Sequence, residues 1–195
     1  MQTLKLKYRR RSKMVLNGVD PSFAFKVTLL LRSCESKGVD FLLTEGLRDP
    51  YKQANLWKNG RSDIDIAEKI EFLRIQNASF IANCLLKIDD LTSINDTSTN
   101  ALPGESWHQF GLAVDCAWLI GDKLCWDNKF LFNGINGYEI LANEAERLNI
   151  CSGHSWTTLK DSCHLQANFA TPSQMFSWKE INNTMEKRFG HLLKI

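Results

Sequence analysis

Apolar side chains fall at helical spacing early in the chain: Phe23, Val27, Leu30 and Leu31 share one face of a helix predicted over residues 21–37. Asp20 offers a capping carboxylate, Pro21 suits a first turn, and Gly38 marks the stop. Residues 39–45 read as a short strand that ends at Gly46. A second helix starts at Asp49 and Pro50 and closes at Gly60. Ile66, Ile70, Leu73, Ile81 and Leu85 predict further helical pieces within 61–88, and the polar stretch 89–104 reads as a loop.

The second half changes period. Residues 112–120 are almost continuously apolar and predict a buried strand; Gly121-Asp122-Lys123 turns it into a partner that begins at Leu124. Ile140, Leu141, Ala145 and Leu148 stripe a helix over 138–148. Residues 150–156 and 163–166 supply two more strands, and 172–195 reads as a final amphipathic helix docking through Met175, Phe176 and Trp178. Short strands that do not alternate regularly with helices predict an α+β class: a small, mainly antiparallel sheet packed with helices. The expected organisation is a basic arm over 1–13, one domain over 14–171, and the C-terminal helix 172–195 packed on that domain.

With 195 residues, 44% hydrophobic and 24% charged, the chain has the make-up of an ordinary globular domain. A net charge of +2 argues against a nucleic-acid partner for the molecule as a whole. The basic run at 5–13 is either a solvated arm or a point of attraction to an anionic polymer. It is followed by only three apolar residues, so neither a signal peptide nor stable membrane insertion is expected. The six cysteines form no Cys-x-x-Cys pair, and reduced, buried thiols are expected. There is no glycine-rich phosphate loop and no Gly-x-Ser-x-Gly nucleophile elbow.

The chemistry lies elsewhere. In Ser106-Trp107-His108-Gln109-Phe110-Gly111-Leu112-Ala113-Val114-Asp115 a histidine and a carboxylate stand seven residues apart, with a glycine between them that permits a sharp bend. Asp161-Ser162-Cys163-His164 adds a second histidine with an acid three residues earlier. Two imidazoles, one carboxylate and one spare acid are the parts of a catalytic Zn2+ site with an open position for water. Spacing alone leaves this open against unrelated histidines, each a surface or a satisfied core residue.

The order Ser-x-His-x-x-Gly-x-Ala-x-Asp, then acid-x-x-His, resembles the zinc D-Ala-D-Ala and L-Ala-D-Glu peptidases, a family of peptidoglycan hydrolases. Upstream, Glu45-Gly46-Leu47-Arg48-Asp49-Pro50 with Gln53, Leu56, Gly60 and Arg61 resembles that family's Gly-x-Arg segment. The likeness runs over roughly residues 16–170 and is nearest the L-alanyl-D-glutamate endopeptidase branch, which includes phage endolysins. It implies the hedgehog/D-Ala-D-Ala peptidase-like fold. It also implies that His108, Asp115 and His164 hold zinc, that Asp161 is the general base, and that Arg48 binds the substrate and its developing negative charge. Apart from it, Asp161 could be a surface acid or a turn cap, and Arg48 a salt-bridge partner of Glu45 or Asp49. Trp107 and Trp156 are candidates for the walls of the peptide groove or for core packing. Ser106 suits a turn or a hydrogen bond to a ligand, and His154 a minor substrate contact. His191 is expected to be exposed.

The expected function is therefore hydrolysis of the L-Ala–D-Glu bond in the peptidoglycan stem peptide by a monomeric bacteriophage endolysin. Such a protein is synthesised in the cytoplasm and acts at the cell wall after release, causing lysis. The alternatives are a D,D-carboxypeptidase or dipeptidase on D-Ala-D-Ala, and a relative that binds walls without cutting them.

Overall fold

The computed structural model of the chain describes residue 12 and residues 14–87 and 99–193. The predicted arm, apart from Ser12, lies outside the described residues, as does most of the predicted loop before residue 99. The chain divides into two compact units: Met1–Leu47 with Phe110–Phe169, and Arg48–Gln109 with Ala170–Ile195.

The first unit holds the sheet. Helix α1 (Pro21–Ser36) starts where Asp20 accepts a hydrogen bond from the Phe23 amide at 3.0 Å. It leads into β1 (Asp40–Glu45), and the chain returns to this unit as β2 (Ala113–Ile120) and β3 (Lys123–Cys125). Helix α5 (Gly137–Arg147), β4 (Cys151–Ser152) and β5 (His164–Gln166) complete it; the helices that fall between β1 and β2 in the chain belong to the second unit. The strands run in the order β1-β2-β5-β4, all antiparallel, with β3 paired to β2. Strand β2 is thus central, and Val114, Cys116 and Trp118 turn one of its faces into a core with Val27, Leu30, Leu43, Leu141 and Leu165. Successive side chains point to opposite faces, so Asp115 is left on the other side.

The second unit is helical. Helix α2 (Pro50–Lys58) is capped by Asp49, which accepts from the Tyr51 and Lys52 amides at 2.9 and 2.8 Å. Helices α3 (Asp63–Ile75) and α4 (Ser79–Leu86) follow, then α6 (Pro172–Met175) and α7 (Trp178–Phe189) from the end of the chain. Helix α4 packs on α2, α3 and α7.

Two predicted elements are corrected. The strand expected over 150–156 stops after two residues, because Gly153–Ser155 coil into a 3-10 turn whose His154 amide is capped by Ser152 Oγ at 3.3 Å. The C-terminal helix is split: α6 ends at Met175, and Ser177 starts α7 with a capping box to Glu180. Met175 and Phe176 are consequently exposed; Trp178 packs edge-on against Phe72 as expected, and α7 docks further through Ile181, Met185 and Phe189.

Candidate metal centre and active site

His108 rides on the short 3-10 turn Trp107–Phe110, and Asp115 on β2. Between them Gly111 takes φ +73°, a left-handed conformation, and a Cβ there would run into the Gly18 carbonyl. The Gly111 carbonyl accepts from the Asp20 amide at 2.9 Å, which fastens the bend to the start of α1. The offset of His108 from Asp115 is thus set by a few residues of local backbone. Gly111→Ala is expected to lower unfolding free energy by about 2 kcal/mol or more. Urea denaturation checks this; an unchanged midpoint would show that the bend tolerates a side chain.

His164 opens β5 directly across from Asp115, its Cα partner in the β2–β5 ladder. Its Nδ1 lies 3.1 Å from Asp115 Oδ1, and its Nε2 lies 2.9 Å from Gln166 Oε1. One ligand atom from each of His108, Asp115 and His164 lies within 4.8 Å of the other two. Zinc at its usual bond lengths places tetrahedral ligand atoms about 3.4 Å apart, so the set is of the right size for a metal ion. Gln166 is placed to accept the Nε2 proton, which would leave the Nδ1 lone pair facing the Asp115 carboxylate. That arrangement calls for a cation. Burial opposes a second proton on His164, yet the hydrogen bond and charge of Asp115, with Gln166 and Asp161 behind it, outweigh burial and raise the imidazole pKa. A metal ion would satisfy the same facing pair.

Asp161 is held by its backbone. Its amide donates to the Gly153 carbonyl at 3.0 Å, and its carbonyl accepts from the His164 amide at 3.1 Å. Its carboxylate accepts from the Cys163 thiol at 3.0 Å and is not part of the three-ligand group. Arg48 is half-buried: its Nη1 donates to Gln53 Oε1 at 2.9 Å, and its amide to the His108 carbonyl at 3.3 Å. Gln53 is itself fully buried and donates to the Ala101 carbonyl at 2.8 Å, so the guanidinium rests on a fixed support.

The family model for VanY, D-alanyl-D-alanine carboxypeptidase, matches residues 17–155. The chain belongs to this peptidase family. The match takes in Arg48, His108 and Asp115 and ends before Asp161 and His164. This VanY-family chain is 27% identical over 140 residues to the peptidoglycan L-alanyl-D-glutamate endopeptidase CwlK of Bacillus subtilis (strain 168). That alignment spans 70% of this chain and 66%, just under two thirds, of the relative's length. Among solved structures, the Serratia marcescens L-Ala D-Glu endopeptidase ChiX is similar with a TM-score of 0.45 and 22% identity, over 82% of this chain and 87% of that one. A vancomycin-resistance D,D-pentapeptidase VanY variant with Zn(II) gives a TM-score of 0.40 and 17% identity, over 84% and 83%.

Around this VanY-family centre the two tryptophans part company. Trp107 is 3% exposed, and its Nε1 donates to the Ala170 carbonyl at 2.8 Å. It is a core residue and presents no face to a groove, which corrects its expected part in substrate binding. Trp156 is half-buried, with its ring centroid 5.4 Å from that of His164. Ser106 serves the turn: its carbonyl accepts from the Gln109 amide at 3.1 Å. His191 is exposed. His154 stacks on Tyr138 at 6.5 Å, and its Nδ1 shares a hydrogen bond with Ser162 Oγ at 2.9 Å. Burial and then Lys160 lower its pKa, which favours a neutral ring.

Sequence reasoning gave no role to Gln166, Gln53 or Cys163. The first was legible, since a residue two positions after His164 on a strand must share its face. The other two act through contacts that no periodicity reveals. All six cysteines are unpaired. Cys116 and Cys163 pack with the core, and burial followed by the charges of Asp115 and Asp161 pushes the Cys163 thiol pKa up.

Proposed function

We propose that this chain is a zinc-dependent peptidase that hydrolyses the L-Ala–D-Glu bond of the peptidoglycan stem peptide. The observation that carries this reading is the clustering of His108, Asp115 and His164, with Asp161 anchored three residues before the last of them. The likeness to the Bacillus endopeptidase supports the choice of bond, and so does an aspartate rather than a glutamate at position 161.

In this reading His108, Asp115 and His164 hold the ion. Zinc bound there supplies Lewis acidity towards a carbonyl and acidifies water near neutral pH. Asp161 takes the proton of the attacking water and returns it to the leaving amine. Arg48, steadied by Gln53, pairs its planar donor fork with the carbonyl oxygen or with a stem-peptide carboxylate. Trp156, beside His164, lines the approach of the peptide. No covalent acyl-enzyme is needed, because water is the nucleophile.

The family model's own description favours a second reading, a D,D-carboxypeptidase or dipeptidase on D-Ala-D-Ala. Mass spectrometry of products from purified peptidoglycan separates the two. Peptides with a new N-terminal glutamate are expected. Released D-alanine would replace the first reading by the second. Intact peptidoglycan that nevertheless sediments with zinc-loaded protein would leave a wall-binding relative.

The proposal extends to a lysin that acts as a monomer, is made in the cytoplasm and reaches the wall after release. Purified protein should then clear a suspension of exposed walls. Peptide release without clearing would leave a wall-remodelling peptidase instead.

A further inference from the structure

Cys163 lies between the acid and the histidine of the second motif, and its side chain touches the acid. The Sγ donates to Asp161 Oδ1 at 3.0 Å. Both partners stand on fixed backbone. The Cys163 carbonyl accepts from the Cys116 amide at 2.9 Å, which carries the β2–β5 pairing one residue beyond Asp115 and His164. Asp161 is tied to Gly153 through its amide and to His164 through its carbonyl. A Cβ on Gly153 would collide with the Asp161 carbonyl, so the close approach of these two segments depends on glycine. The next residue, Ser162, is pinned by His154.

What these backbone contacts leave free is the rotation of the Asp161 carboxylate about its own side-chain bonds. A general base must come within about 2.6–3.2 Å of the proton it takes, and aspartate has one methylene fewer than glutamate with which to search for that position. A donor on one carboxylate oxygen removes the search.

We propose that Cys163 is a positioning residue for Asp161: its thiol holds Oδ1 and thereby aims Oδ2 at the attacking water and the leaving amine. This rests on the reading of Asp161 as the base. A thiol is a weak donor, but it stands 3.0 Å from a carboxylate oxygen, and the half-buried site limits competition from water. The consequence is a modest gain in turnover that does not alter metal binding.

The test uses the full, zinc-loaded chain and purified peptidoglycan. Cys163→Ala is expected to lower kcat about fivefold with KM and zinc content unchanged, and Cys163→Ser, which restores a donor, to recover most of the loss. On an Asp161→Ala background, Cys163→Ala should have no further effect on the residual rate, because the group it positions is gone. Cys163→Val, which fills the space without a donor, repeats the measurement if the alanine variant does not fold. Wild-type turnover in the donor-free variants would overturn the proposal, as would zinc loss in step with activity or failure of the folded serine variant to recover. Full turnover by Asp161→Ala alone would instead overturn the reading of Asp161 as the base.

Discussion

Asp161→Ala is expected to keep its zinc and lose about 10²- to 10⁴-fold in turnover, the usual worth of a positioned general acid–base. The two halves of that expectation have separate origins. Zinc is retained because the clustered ligand atoms come from His108, Asp115 and His164, and the Asp161 side chain is not among them. Folding is retained because the anchors of Asp161 to Gly153 and His164 are backbone atoms, which alanine keeps. Turnover falls because no other carboxylate stands in this segment to take the proton. Metal analysis and initial rates on the same preparation check both halves. Loss of zinc together with activity would make Asp161 a ligand, and retained activity would move the base elsewhere.

His164→Ala is expected to abolish both metal binding and turnover, with no recovery in added zinc. The wild type, stripped by a chelator, should lose activity and regain it with zinc. His164 is buried and sits between Asp115 and Gln166. Removing its ring deletes one ligand and also takes away the group that stands 3.1 Å from the Asp115 carboxylate and 2.9 Å from the Gln166 amide oxygen. Stranding a buried polar group costs about 1–3 kcal/mol, so a lower melting temperature should accompany the lost metal. Calorimetric zinc titration with parallel thermal melts would measure both. Turnover that persisted after complete metal removal would end the metallopeptidase reading.

Much of this was legible in the sequence, for local reasons. Asp20-Pro21 and Asp49-Pro50 start helices because a carboxylate and a fixed φ suffice without outside help. Strand parity is local, too: Asp115, between Val114 and Cys116 on one strand, must face away from them. The tail was also readable in principle. Ser177 and Glu180 form a capping box, and giving weight to that signal over the apolar run Met175-Phe176 would have split the helix correctly. What escaped depends on residues far apart in the chain. Helix α4 has no capping side chain at Ala78; Asn182 on α7 accepts from the Phe80 and Ile81 amides instead, at 2.8 and 3.3 Å. For Trp107 the sequence leaves groove wall and core packing both open, because nothing nearby announces the Ala170 carbonyl that accepts from its indole nitrogen. The support of Arg48 by Gln53 needed the position of the Ala101 carbonyl as well as the five-residue spacing.

The pairing of Asp115 with His164 across β2 and β5 also dictates where this chain can change length. Residues 126–136 and 156–160 lie between elements of the first unit, and extra residues there can be absorbed as longer loops. A single insertion inside β5 or between Asp115 and Cys116 has no such outlet. It would slide one strand past the other, turn His164 towards the core and bring Leu165 or Cys163 across from Asp115. Homologous proteins that keep this centre should therefore vary freely in those loops and hold the spacing within the two ligand-bearing strands fixed to the residue.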